Sequence, residues 1–249
     1  MGYRVCLVFF AVFWLTIGFG MIDLASGFAS GSTDGNDVLS TGVLSVAYGA
    51  IAAIVLPAGF LSQLRAASRR VAALQQVVAA TCAFALAGVL ALDPLSFISV
   101  ATLAVMLAIL WRLSPERPPM WRPRVASIRL FALTAMTAVP WLIYGLEMAA
   151  NGRAGLPPDE QAGRPQAGGW AGAVALALLV VLLGLLAATK TRGWRTPALS
   201  AAAVSFVFGL VSILNPDAPG SAGAIWGALA IGWSVIFTAG AVHEPAGDQ

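Results

Sequence analysis

Eight apolar segments, each close to the length of a membrane-spanning helix, constrain the fold of this chain more than any other feature. A bilayer core of about 30 Å is crossed by a helix of roughly 20 residues, and hydrocarbon admits only backbone whose hydrogen bonds are made internally. Charged residues make up 10% of the chain and its mean hydropathy is +0.85. Soluble proteins carry about 25% charged residues. The sequence therefore predicts an all-α polytopic membrane protein with eight transmembrane helices.

The predicted spans form two groups of four around a basic, proline-rich segment. Residues 1–113 hold the first group and residues 128–242 the second, with a cytoplasmic connector at 114–127 and a cytoplasmic tail at 243–249. Prolines and arginines favour an extended connector lying along the membrane surface. The predicted spans are about 5–28, 39–64, 71–92, 94–113, 128–150, 169–189, 197–214 and 220–242.

Basic residues are distributed unevenly between the loops. If both termini are cytoplasmic, twelve of the fourteen Lys and Arg residues lie inside, and Arg153 and Arg164 lie outside. Short cytoplasmic loops carry an excess of Lys and Arg, so the distribution predicts cytoplasmic termini. Arginine far outnumbers lysine, which is typical of GC-rich bacterial genomes and favours a bacterial inner membrane. Five arginines are predicted to contact anionic lipid headgroups: Arg112, Arg117, Arg122, Arg124 and Arg129.

The two groups of spans align with each other at an offset of 125 residues. We interpret the alignment as duplication of a four-helix unit. An even number of helices gives both copies the same orientation, so the pattern predicts parallel repeats about a pseudo-twofold axis along the membrane normal. The alternative is that any eight-span chain with alternating loop charge aligns roughly with itself. Matching pairs are Arg4 with Arg129, Gly20 with Gly145, Asp34 with Asp159, Gly59 with Gly184, Arg65 with Lys190 and Arg70 with Arg195.

Two acidic residues, Asp23 and Glu147, lie inside predicted spans. Each is about 27 Å along its helix from the arginine that opens it, at 1.5 Å per residue. Acids inside a membrane are costly and often mark ion or substrate paths. We predict that the pair lines an outward vestibule that binds a substrate, cation or proton, with Tyr144 as a hydrogen-bond partner of Glu147. The alternative is that both carboxylates simply reach the headgroup region.

Small residues and prolines predict how the helices pack. Small residues four apart in the eighth span, such as Gly223 with Gly227, allow close helix contacts within the bundle or in a homodimer. The sixth span has no polar side chain and is predicted to face lipid broadly. Pro57 and Pro140 predict kinks in the second and fifth spans.

Several chemistries lack the residues they need. A single histidine, His243, and two cysteines without a C-x-x-C motif are against metal and haem sites, so no metal or cofactor is predicted. Enzyme motifs such as G-x-S-x-G and the Walker A loop are absent, which is against catalysis without excluding it. Arginines between apolar runs do not form a nucleic-acid-binding face. Two functions stay open: a small transporter or permease with its site between the repeats, or a non-catalytic membrane subunit or assembly factor that binds partner proteins.

Overall fold

A computed structural model describes residues 2–21, 42–64, 71–114, 127–155 and 169–244. Throughout these ranges the backbone is helical or in turns, and eight helices are long and apolar enough to cross a membrane. The prediction of an all-α membrane protein with eight spans is confirmed. The helices are α1 Gly2–Met21; α2, which joins Gly42–Ala50, Ile51–Val55, Leu56–Leu61 and Ser62–Leu64; α3 Val71–Ala91; α4 Ser96–Leu113; α5 Ile128–Arg153; α6 Gly169–Ala188; α7 Arg195–Leu214; and α8 Gly223–His243.

A short turn between α3 and α4 shows how local sequence ends one helix and begins the next. The Asp93 carboxylate accepts the Leu95 amide at 3.0 Å and the Ser96 hydroxyl at 2.7 Å. Aspartate favours such turns because its side chain replaces missing backbone partners. The helix therefore begins at Ser96, two residues after the predicted start at Pro94.

The eight helices form a central group and a peripheral group. In an apolar 18-residue stretch of each helix, between 50% and 72% of the residues of α2, α3, α6 and α7 are buried, against 28% in α1, α4, α5 and α8. Within each half of the chain, consecutive helices pack together and the first also contacts the fourth. The halves meet mainly through α3 against α6 and α2 against α7. This arrangement places the interior of the protein at the junction of the two halves.

The prediction that the sixth span faces lipid broadly is wrong. Helix α6 is the most apolar of the eight spans, yet 14 of its 20 residues are buried. In a bilayer, apolar character does not separate buried helices from lipid-facing ones, because lipid is as apolar as leucine. The positions of small residues determine instead which helices pack at the centre of the bundle. A Cβ added at Gly184 would lie 2.6 Å from the Thr134 hydroxyl, so α6 approaches α5 closely only because Gly184 has no side chain.

Glycines also bring α7 and α8 together. A Cβ at Gly209 would lie 2.5 Å from the Gly227 carbonyl oxygen, and one at Gly227 would lie 2.6 Å from the Gly209 carbonyl oxygen. Gly227 therefore serves packing within the chain. Gly232, also on α8, has nothing within 4 Å of the corresponding position and is exposed together with Ala228. Homodimerisation through the eighth span stays a prediction.

Each end of the bundle carries hydrogen bonds between its two halves. At the end predicted to be outside, Arg153 donates to the Leu90 carbonyl oxygen at 2.6 Å. At the opposite end, the Ala72 amide donates to the Arg192 carbonyl oxygen at 3.1 Å. Because Lys190 and five of the six described arginines lie at this second end, we call it the basic end.

The C-terminal end of α8 is fixed at the basic end through Glu244. Its carboxylate lies 2.8 Å from the Lys190 ammonium and accepts the Ser127 hydroxyl at 2.9 Å. The Lys190 hydrogen bond, helped by Ser127 and Arg129, holds the pKa of the Glu244 carboxyl below its ordinary value of 4.5, although burial acts in the opposite direction. The contact joins α8 to the start of α5 and to the turn after α6.

Replacing Glu244 with Gln is expected to lower the free energy of unfolding by about 1 kcal/mol at neutral pH, because the ion pair is lost from a partly buried site. A carboxyl whose pKa is lowered by folding stabilises the protein at pH values above its ordinary pKa. This stabilisation is lost as the pH falls through the lowered pKa. The wild type should therefore lose this increment below about pH 4.5, whereas Glu244→Gln should not. Denaturant titration in detergent from pH 3 to 7 measures it, with Asp217→Asn as an exposed control. Equal pH slopes in wild type and Glu244→Gln would contradict the role of the pair.

Candidate functional site

Of the three residues predicted to line an outward vestibule, the structure describes Glu147 and Tyr144. Asp23 lies outside the described residues, as do Arg117, Arg122 and Arg124 of the connector. Glu147 is exposed on α5, on the same stripe as Ile143 and Leu146. It is therefore turned away from the buried interior, and the vestibule stays a prediction.

Tyr144 is buried and contributes to packing at the outer part of the second half. Its hydroxyl donates to the Gly220 carbonyl oxygen at 2.7 Å, so its proton is not available to Glu147. Its ring lies against Trp141 and Phe208, with centroids 6.0 and 5.1 Å away. Such aromatic contacts and a satisfied hydroxyl account for the burial of a tyrosine in a helix bundle.

The strongest irregularity within the spans is in the middle of α2. Residues Ile51–Val55 form a π-helical turn in which the Leu56 amide bonds to the Ile51 carbonyl oxygen, and Pro57 follows directly. Proline has no amide hydrogen to donate to the preceding turn, and π turns inside helices often occur at functional sites. The predicted kink at Pro57 is therefore a change in hydrogen-bonding pattern, which we call the α2 break (residues 51–57).

A glutamine from α3 fills the space beside the α2 break. Gln76 is 0% exposed, and its side-chain amide donates to the Val55 carbonyl oxygen at 2.6 Å. The approach depends on Gly59, where an added Cβ would lie 2.8 Å from Val77 and 3.2 Å from the Ala73 carbonyl oxygen. A polar side chain thus reaches the backbone of α2 at its break, about 7.5 Å along α3 from Val71 at 1.5 Å per residue.

Gln76 also joins the two halves of the chain. The same amide donates to the Ser200 hydroxyl of α7 at 3.0 Å. Its carbonyl oxygen Oε1 is buried and has no hydrogen-bond partner among the described residues. A buried acceptor without a partner costs about 1–3 kcal/mol, so such atoms call for an explanation. We call the Val55 carbonyl, Gln76 and Ser200 the break site.

A second buried atom without a partner lies further along α7. The Ser205 hydroxyl is 0% exposed and makes no hydrogen bond to any residue the structure describes. It follows Ser200 by five positions, about 7.5 Å along the helix axis. Two unmet hydrogen-bonding groups therefore lie in the buried interior of the described residues, one on Gln76 of α3 and one on Ser205 of α7.

Other polar side chains link the break site to the basic end. The Gln63 amide donates to the Gly59 carbonyl oxygen at 2.8 Å, and its own carbonyl accepts the Tyr3 hydroxyl at 2.7 Å. The Thr191 hydroxyl donates to the Gln75 carbonyl at 3.3 Å. Buried polar groups are thus concentrated toward one end of the central helices. An approach from the basic end would meet hydrogen-bonding groups before reaching the break.

The interior of the described part is polar in places but carries no buried charge. Its twelve buried polar side chains are all glutamine, serine or threonine. The described residues also contain no group of three or more His, Cys, Asp or Glu that could hold a metal ion. The arrangement can exchange hydrogen bonds with an uncharged molecule. It offers no counter-charge to an ion.

The sequence contained a signal for the break site that charge-based reasoning overlooked. Gln63, Gln75 and Gln76 are the carboxamide residues within the predicted spans, and two of them are adjacent. A carboxamide in hydrocarbon needs partners for both donor and acceptor groups, as a carboxylate needs a counter-charge. Weighting amides like acids would have selected these positions beside Asp23 and Glu147.

Comparison with family models, characterised proteins and solved structures finds no match.

Proposed function

We propose that this integral membrane protein is a small permease for uncharged solutes with hydrogen-bond donors. The observation that carries the proposal is Gln76, which is fully buried at a break in α2 and has an unpartnered carbonyl oxygen. Broken helices at the middle of the membrane are where many transporters bind their substrates. A donor on the solute would supply the bond that Gln76 lacks.

The absence of buried charge supports an uncharged solute. Moving an ion into a low-dielectric interior is unfavourable unless a partner compensates it, and the described interior offers glutamine, serine and threonine alone. Gln76 and Ser205 present the two atoms without partners, and both can accept a hydrogen bond. Small polyols, amides and water have the matching chemistry.

Packing supports placing the site between two repeats. In each half, the second and third helices are central and the first and fourth peripheral, and the contact of α3 with α6 has its counterpart in that of α7 with α2. Ser200 comes from one half, and Val55 and Gln76 come from the other. We propose a duplicated four-helix unit in the bacterial inner membrane, with the basic end cytoplasmic as the loop charges predict.

The outward vestibule remains a separate proposal. Asp23, Glu147 and Tyr144 would act at the opposite end from the break site, as an entry for solute or a site for a cation. Wild-type solute entry in an Asp23→Ala, Glu147→Ala double variant would exclude the role in solute entry without touching the break site.

A swelling assay tests the proposed activity. Vesicles containing the purified protein are mixed with excess glycerol, urea or potassium chloride, and light scattering follows reswelling as solute enters. We expect faster reswelling than in protein-free vesicles for glycerol or urea and no acceleration for the salt. An equal rate with and without protein for both neutral solutes, or acceleration by the salt, would contradict the proposal.

The alternative function is a non-catalytic membrane subunit or assembly factor. Close glycine contacts favour it, because backbones that touch at Gly18 and Gly209, and the Thr134 side chain packed on Gly184, leave little room for movement. A subunit should co-purify from its native membrane with a partner in fixed stoichiometry. Isolation as a single species that passes neutral solutes would exclude this alternative.

A further inference from the structure

An apolar groove runs between α7 and α8 on the outer surface of the bundle. It encloses about 690 Å³ and is lined from α7 by residues such as Leu199 and Phe206, and from α8 by residues such as Val235 and Val242. These four side chains are 42% to 61% exposed. Two hydroxyl-bearing residues also line the groove, but Ser234 donates to the Ile231 carbonyl and Thr238 to the Ser234 carbonyl. The wall therefore offers contact surface and few free donors.

The groove has the length and position of one leaflet. From Leu199 to Phe206, and from Ser234 to His243, it extends about 10–14 Å along the helices at 1.5 Å per residue. Half of a hydrocarbon core of about 30 Å is about 15 Å. One end lies at the basic end of the bundle and the other near the middle of the membrane. Its dimensions match a single acyl chain.

A positive charge lies at the basic end of the groove. Arg195 is exposed one helical turn before Leu199, and its guanidinium bonds to the Glu244 backbone carbonyl at 3.4 Å and lies 5.7 Å from the Trp194 ring. Among the described residues its charge is not matched by a carboxylate, because the nearby Glu244 carboxylate is bonded to Lys190 at 2.8 Å. Arginine binds phosphate with two parallel hydrogen bonds. His243 lines the same end of the groove.

We propose that the α7–α8 groove is a binding site for an anionic phospholipid of the leaflet at the basic end. One acyl chain lies in the groove, and the phosphate of the headgroup binds Arg195 beside His243. A zwitterionic lipid fills the groove equally well and also carries a phosphate, but its cationic ammonium group offsets that charge and repels Arg195, so it binds less tightly. The site is independent of solute passage, because it lies on the exposed face of α7 and α8 and not at the break site.

Native mass spectrometry of the detergent-solubilised protein tests the site. The protein is titrated with phosphatidylglycerol or phosphatidylcholine of identical chains, and the first bound lipid is quantified. A headgroup contact with one arginine near the surface contributes about 1 kcal/mol, so phosphatidylglycerol should bind roughly fivefold more tightly. Arg195→Ala should remove this preference, whereas Arg112→Ala, an exposed arginine at the same end of α4, should retain it.

Two further measurements separate the parts of the proposal. Ala203→Phe fills the groove and should weaken the first binding event for both lipids, with helicity measured by circular dichroism as the control for folding. Glycerol 3-phosphate, which has the anionic group without chains, should fail to compete at lipid concentrations. Equal affinity for the two lipids in the wild type, an unchanged preference in Arg195→Ala, or competition by glycerol 3-phosphate would each overturn the site.

Discussion

Replacing Gln76 with Leu is expected to abolish solute entry into vesicles while leaving the protein folded. Leucine removes the buried acceptor that lacks a partner, together with the donor to Val55 and Ser200. A hydrogen bond lost on the path costs about 1–1.5 kcal/mol, and an apolar side chain of similar length also closes the path to polar molecules. We expect the rate of glycerol or urea entry above background to fall at least about tenfold. Stopped-flow light scattering measures it.

Thr81→Val on the same helix is the matched control for this prediction. Thr81 is a half-buried polar residue whose hydroxyl bonds to its own helix at the Val77 carbonyl, away from the break site. Its substitution should leave solute entry within about twofold of the wild type. Ser200→Ala should give an intermediate loss, because it removes the partner from the other half but keeps the Gln76 acceptor. Wild-type entry in Gln76→Leu would show that solutes do not pass the break site.

Replacing Gly209 with Ala is expected to destabilise the bundle, although alanine is the better helix former by about 1 kcal/mol. The new methyl group would lie 2.5 Å from the Gly227 carbonyl oxygen, which belongs to the backbone of α8 and can move only with its helix. Overpacking of this kind costs about 1–3 kcal/mol beyond the gain in propensity. Titration with denaturing detergent, followed by circular dichroism, gives the change in free energy of unfolding.

Gly232→Ala provides the matched comparison within α8. No neighbouring atom of the described residues lies within 4 Å of its added methyl group, so only the gain in helix propensity acts and stability should rise slightly. The two substitutions are chemically identical and both lie inside helices. A difference in sign between them measures the close contact of α7 with α8 directly. Equal effects would mean that the two helices do not touch at Gly209 and Gly227.

The eight spans were predictable because hydrocarbon imposes a length and an apolar composition on every helix that crosses it. Which helices lie at the centre of the bundle was not predictable from the sequence, as α6 shows. Its uniform leucine, valine and alanine sequence suggested lipid exposure, yet Gly184 and its small neighbours place it at the centre. Packing between helices depends on shape complementarity, and a single sequence does not specify which neighbouring helix packs against a helix face of small residues.

The candidate site was predictable only in part. Pro57 marked α2 as irregular, but the π turn before it is stabilised by contacts with other helices, including the hydrogen bond from Gln76, 21 residues later in the chain. The search for charge in the spans selected Asp23 and Glu147, of which Glu147 lies on the exposed face of α5. The buried polar groups of the described residues are neutral amides and hydroxyls, whose partners depend on tertiary structure.

Infrared spectroscopy of the Gln76 side chain tests the central claim most directly. The protein is prepared with carbon-13 at the side-chain carbonyl of glutamine, and difference spectra are recorded with and without glycerol in wild type and Gln76→Leu. If the solute donates to Oε1, one labelled carbonyl band of the wild type should move to lower frequency, and Gln76→Leu should lack this change. Vesicles that pass glycerol while every labelled carbonyl band stays fixed would contradict the break site as the place where the solute binds.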